Sequence, residues 1–158
     1  MIQISERFEV PCASARTVWE LLSDPHAVVG CIPGAALGEE HEDGSFDGSL
    51  AIKFGPARVT FRAHIELELD NDAMVGRVTS RGKDNQGGTR FRAAMSFKVI
   101  DEADHATVMI DGENELSGKL AGIVESGAKF VIKRMSADFA TNLAARCSAT
   151  RTPAAPAA

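Results

Sequence analysis

The sequence contains no tyrosine and one tryptophan, and its only cysteines are Cys12, Cys31 and Cys147. Without tyrosine, no phenol is available as a proton donor in a pocket. The cysteines are widely scattered and show no C-x-x-C spacing. They therefore encode neither a zinc site nor a redox pair, and read as reduced cytosolic thiols. No window approaches the roughly 20 apolar residues that a membrane-spanning helix needs. The start, "MIQISERFEVP", lacks the basic segment and apolar run of a secretory signal. Positive charge is also in deficit: the formal net charge is −5 over 158 residues. Binding to phosphate backbones requires a basic footprint, so nucleic acid is excluded as the main partner. These absences predict a soluble cytoplasmic protein, long enough to bury roughly 70% of its unfolded surface.

Catalytic chemistry is equally scarce. His26, His41, His64 and His105 lie far apart, and none has the i,i+3 or i,i+4 partner of a helix-borne metal site. His41 sits in "GEEHEDG", which reads as a solvated acidic hairpin loop. No metal site is expected. There is no G-x-S-x-G elbow, and Cys31 and His26 are merely neighbours along the chain. Acid-base work is left to Glu6, which falls in phase with the apolar positions of the first strand, and to Asn114 near the end of the last one. No residue is assigned as catalytic, and no cofactor is implied.

What the sequence does have is pattern. Ile2, Ile4, Phe8 and Val10 alternate with polar residues, the period of a half-buried strand that Pro11 ends. Ser14 is placed to cap the helix "ARTVWELL", which Asp24-Pro25 stops; a second stop follows at Pro33-Gly34, so two short helices are expected within residues 15–34. From about Leu37 to Leu116 the chain reads as strands separated by turn residues. In "RVTFRAHIELELD", Val59, Phe61, Ala63, Ile65, Leu67 and Leu69 point one way and Arg58, Arg62, His64, Glu66 and Glu68 the other. One sheet face is thus apolar and the other wet. "GKLAGIVESGAKFVIKRMSADFATNLAAR" is the longest helical pattern, and Leu120, Val124, Val131, Met135, Phe139 and Leu143 form its apolar stripe. The expected fold class is α+β, a curved antiparallel sheet around one long C-terminal helix, with two short helices at one end. The folded unit is expected over residues 1–146, and Pro/Ala-rich residues 147–158 are expected to form a disordered tail.

A strongly curved sheet cannot press its whole inner face on one helix, so an interior hollow is the natural ligand site. Its expected lining is Leu50, Phe54, Phe61, Met95 and Phe97 from the sheet, Ile32 and Pro33 from a bent lid, and Ile123, Gly127, Phe130 and Val131 from the long helix. The competing reading of "CIPG" is a plain connector, and that of the helix glycines is close backbone packing. On the wet face Arg58, Arg62, Arg77, Arg81, Arg90 and Arg92 occupy three successive strands. They form either a solvated face crossed by Glu66 and Glu68 or a docking surface for an acidic partner or anionic lipid.

The segments "VWELLSDPHAVVGCIPGA", "IKFGPARVTFRAHIEL", "GGTRFRAAMSFKV" and "GKLAGIVESGAKF" together resemble the G-subunit family of carbon monoxide dehydrogenase, over roughly residues 2 to 146. That family lies within the helix-grip (START-like, SRPBCC) superfamily, alongside START lipid-transfer domains and Bet v 1-like proteins. The resemblance implies a helix-grip fold and a non-catalytic accessory protein of a molybdenum hydroxylase, carbon monoxide dehydrogenase-like. Such a protein holds a quinone or similar lipid and helps couple the enzyme to the inner face of the cytoplasmic membrane. In some members a Pro/Ala-rich linker leads to an apolar C-terminal segment, and "TPAAPAA" resembles such a linker. The family carries no agreed catalytic residues. Two alternatives stay open: a small-molecule cyclase or hydratase of the same superfamily, and a ligand-free docking adaptor.

Overall fold

The computed structural model describes residues 1–11, 13–54, 56–86 and 88–151, without the side chains of Phe54, Ala57 and residues 149–151. The elements run β1 (Ile2–Pro11), α1 (Ala15–Leu22), α2 (Pro25–Cys31), β2 (Ala35–Glu40), β3 (Phe46–Phe54), β4 (Ala57–Asp70), β5 (Val75–Asp84), β6 (Thr89–Asp101), β7 (His105–Gly118) and α3 (Ala121–Arg151). The strands form one seven-stranded sheet in the order β1-β7-β6-β5-β4-β3-β2, and every neighbouring pair is antiparallel. This is the α+β plan that the pattern predicts.

The order explains the two helix stops. β1 and β2 lie at opposite edges of the sheet, so the chain between them must cross the open side of the curve. α1 and α2 make that crossing as two short rods. Ser14 accepts from the Thr17 amide at 3.2 Å to start α1, and Asp24 accepts from the His26 amide at 3.0 Å with Pro25 at the first turn of α2. Gly34 then turns into β2 with φ +87°, and a Cβ there would come within 2.5 Å of the Ala51 carbonyl oxygen. Only glycine fits that turn.

Two apolar clusters pin α3 to the sheet. The larger joins Val10, Val18, Trp19, Leu22, Cys31, Val99 and Val108 to Phe139, Leu143 and Cys147 in the C-terminal half of α3. Trp19 is 1% exposed, donates through Nε1 to Asn71 Oδ1 at 2.9 Å and lies 5.7 Å from the Phe97 ring. The smaller cluster holds Val59, Phe61 and Val124, with Ile2, Ile52, Phe91, Leu116, Leu120 and Val131 packed on it. Thr89 Oγ1 fixes the entry to α3 by accepting from the Leu120 amide at 2.8 Å. α3 continues to Arg151 with Cys147 buried, so Cys147 to Arg151 are helical where a disordered tail is expected. Residues 152–158, the rest of that tail, lie outside the described residues. The helix runs on because Leu143 and Cys147, at i,i+4 spacing, both reach the larger cluster.

Candidate functional site

Between the two clusters the inner face of the sheet is only half-buried. Cross-strand register sets Ile2, Asn114, Ala93, Ser80, Ile65 and Phe46 in one inward row, and Ile4, Gly112, Met95, Val78 and Leu67 in the next. All are partly accessible, whereas Val10, Val99, Val108, Val59 and Phe61 beyond them are buried. The inner face is thus covered less completely along these two rows than in the clusters on either side. Asn114 Oδ1 is buried there without a hydrogen-bond partner among the described residues, an arrangement that costs about 1–3 kcal/mol if nothing fills it. Glu6 also lies on this face, half-buried and paired with Ile110 across the strands.

The structure sorts the expected lining residues. Phe61 is buried and Leu50, its cross-strand partner, is half-buried. Met95 sits half-buried between Val78 and Gly112, Gly127 is half-buried, and Val131 packs on the smaller cluster. Phe97 and Ile32 pack on the larger cluster instead. Three placements differ from expectation: Pro33 is exposed, and Ile123 and Phe130 are 49% and 72% exposed on α3. Val124, Ala128 and Val131 take the inward stripe, and Phe130, one residue from Val131, is carried about 100° round the helix. The Phe54 side chain lies outside the described residues.

The outer face carries a trough of about 1330 Å³ across the strands. Its floor follows the row Leu37, Gly48, Ala63, Gly82, Phe91 and Leu116. One wall is the row Ser49, Arg62, Lys83, Arg90 and Ser117; the other is Asp47, His64, Arg81, Arg92 and Glu115. At Gly82 a Cβ would collide with the Arg62 carbonyl oxygen, so glycine alone permits the close approach of β4 and β5 there. Among the described residues, Arg62, Arg81, Lys83, Arg90 and Arg92 have no ion-pair partner. Four of the six arginines expected to form a patch are thus brought together; Arg58 and Arg77 are exposed further along their strands, and Arg77 pairs in register with Glu68. Sequence reasoning missed Lys83, although its alternation with Arg81 carries the signal.

At one end of the trough, His41 Nε2 lies 2.9 Å and His64 Nδ1 3.6 Å from Asp47 Oδ1. Its hydrogen bond to Asp47 raises the pKa of His41, and the same bond lowers that of Asp47. Two of the thiols are sequestered by contrast. Cys31 is fully buried, Cys147 is 1% exposed, and burial pushes both pKa values up. His26 is exposed while Cys31 is buried, so the structure does not pair these two as nucleophile and base.

Residues 7–148 match the family described as the G subunit of carbon monoxide dehydrogenase (CoxG). Among curated proteins there is no match. Solved structures of similar fold include a conserved protein from Geobacillus kaustophilus, at TM-score 0.80 and 19% identity, covering 94% of this chain and 97% of that one. The Zhui aromatase/cyclase from Streptomyces sp. R1128 is similar at TM-score 0.63 and 14% identity, with 96% and 95% covered. A START superfamily protein from Mycobacterium smegmatis is similar at TM-score 0.59 and 18% identity, with 94% and 98% covered. At such identities the likeness is one of fold. No helix among the described residues is long and apolar enough to cross a membrane.

Proposed function

The chain belongs to the CoxG family, the G subunits of carbon monoxide dehydrogenase, and from that premise we propose that it is a non-catalytic carrier serving a molybdenum hydroxylase of the carbon monoxide dehydrogenase kind. Its cargo is an apolar molecule with a polar end, quinone- or lipid-like, held between the sheet and α3. The observation that carries this reading is the half-buried inner face between two closed clusters, with the buried Asn114 Oδ1 left without a partner among the described residues. Burial of an apolar body supplies affinity at roughly 25 cal/mol per Å² before ordering costs. The unpaired Oδ1 is an acceptor, so Asn114 suits a hydroxyl or other donor at the polar end of the cargo.

The exterior supports delivery. The exposed side chains of Ile123 and Phe130 share α3 with exposed Lys129 and Lys133, a combination suited to the inner surface of an anionic membrane. The five unpaired cations of the trough suit an acidic face on the partner enzyme. Organic extraction of the purified protein followed by mass spectrometry should recover a prenylated or acylated species, and added quinone should raise the melting temperature. Repeatedly empty extracts together with no thermal shift would sink the carrier.

A second reading, a cyclase or hydratase, is favoured by one feature: the half-buried Glu6 on the inner face. A carboxyl in such a place is suited to moving a proton on a bound substrate. Replacement Glu6→Gln separates the two readings. Retained ligand binding with lost turnover favours the enzyme, and unchanged behaviour favours the carrier.

A further inference from the structure

We propose that His41, Asp47 and His64 form a binding site for a first-row divalent cation, with zinc as the best match to the donors. His64 is remote from the other two along the chain and is brought beside them by register. Asp47 and His64 are directly opposed across β3 and β4. His41 is folded back beside them by a tight hairpin in which the His41 amide donates to the Ser45 carbonyl at 2.8 Å and the Gly44 amide donates to the His41 carbonyl at 3.0 Å. Gly44 supplies the φ of +90° that this turn demands. Asp43 locks the hairpin further by accepting from the Ser45 amide and hydroxyl, and Ser45 is only 4% exposed. The cluster therefore stands on two strands and a braced turn rather than on a loose loop.

Its dimensions fit a metal. One donor atom from each residue can be chosen so that all lie within 4.8 Å of one another, with the two histidine-to-Asp47 separations at 2.9 and 3.6 Å. Donors about 2.0–2.2 Å from a tetrahedral zinc stand about 3.3–3.5 Å apart. Small side-chain adjustments therefore bring the trio to bonding distance. Two imidazoles and one carboxylate are a donor set for zinc or another first-row divalent ion, and they leave at least one coordination position for a further ligand. Glu66 Oε1, 3.9 Å from His64 Nε2, and the hairpin residues Glu39 and Asp43 offset the nearby charge of Arg81, which is paired with His64 across β4 and β5. Asp47 and His64 also belong to the trough wall, so a bound ion would offer its remaining position where a partner's oxygen ligand can reach it.

The test is a titration of the metal-free full chain with Zn²⁺ by calorimetry, repeated with Co²⁺ and read by its visible absorption. One equivalent should bind, with the spectrum of a low-coordinate Co²⁺ site. His41→Ala, Asp47→Asn and His64→Ala should each weaken binding by at least the roughly tenfold that loss of even an outer-shell partner costs. His105→Ala, which removes a histidine that also contacts an aspartate, should leave binding unchanged. Melting curves confirm that the variants fold, since none of the three residues is buried in the core. The site is overturned if the unaltered protein shows no saturable Zn²⁺ binding, or if the triple variant binds as tightly as the unaltered chain, which would locate the ion elsewhere.

Discussion

The closed end of the interior and its middle are built from the same sheet and the same helix, yet they differ in what α3 offers. At the closed end Phe139, Leu143 and Cys147 interlock with Trp19, Val10 and Val108. Across the middle, the small or polar side chains of Ala93, Ser80 and Asn114 share one cross-strand row and remain partly accessible. One region is packed as a core and the other is only partly covered. The contrast shows how a single sheet can be closely packed in one region and only half-covered in the next: strand curvature is continuous, but side-chain volume varies from row to row.

The largest effect that would sharpen the comparison is expected at the closed end. Trp19→Ala should destabilise the fold by about 3–5 kcal/mol in chemical denaturation, since it empties the cluster and strands Asn71. Filling the middle should act in the opposite way. Ser80→Leu or Ala93→Leu should cost less than the roughly 1–3 kcal/mol that overpacking imposes on a filled core, while abolishing any quinone-induced thermal shift. A full overpacking penalty there would show that the middle is already closed.

The outer face provides a third case, in which charge rather than volume matters. Reversing Arg62, Arg81 and Arg92 to Glu should change stability by no more than about 0.5 kcal/mol per site. It should nevertheless remove salt-sensitive association with the partner enzyme in a pull-down, and retained association would assign the trough to solvent.

The smallest effect is a titration. The hydrogen bond to Asp104 raises the pKa of His105 above its ordinary 6.5, and the same bond lowers that of Asp104 below 3.8. The pair therefore contributes between those limits. Its contribution is lost as pH rises through the raised histidine value, and again as pH falls through the lowered aspartate value. NMR titration should find the His105 midpoint above 6.5 and returned toward it by Asp104→Asn.

Much of the fold was legible along the chain because strand and helix periods are local. The alternation in Ala57–Asp70 and the stripe from Leu120 to Leu143 both survive in the structure. Ser14, Asp24 and Gly34 act where their residue types place them. The candidate sites were less legible. Phe130 reads as lining because it adjoins Val131, whereas helical rotation turns it to solvent. Lys83 joins its cationic wall only through the β4-β5 register.

The sequence by itself determined the order of elements, the two-faced sheet and the bent crossing of α1 and α2. All of these depend on neighbours within a few residues. Tertiary structure alone decided that His64 joins His41 and Asp47, and that, among the described residues, five cations stand unpaired in two facing rows and Asn114 Oδ1 has no partner. Those outcomes depend on which residues the cross-strand register sets opposite each other, and on how far the helix stands from the sheet at each row. Neither distance is encoded in any local stretch of chain.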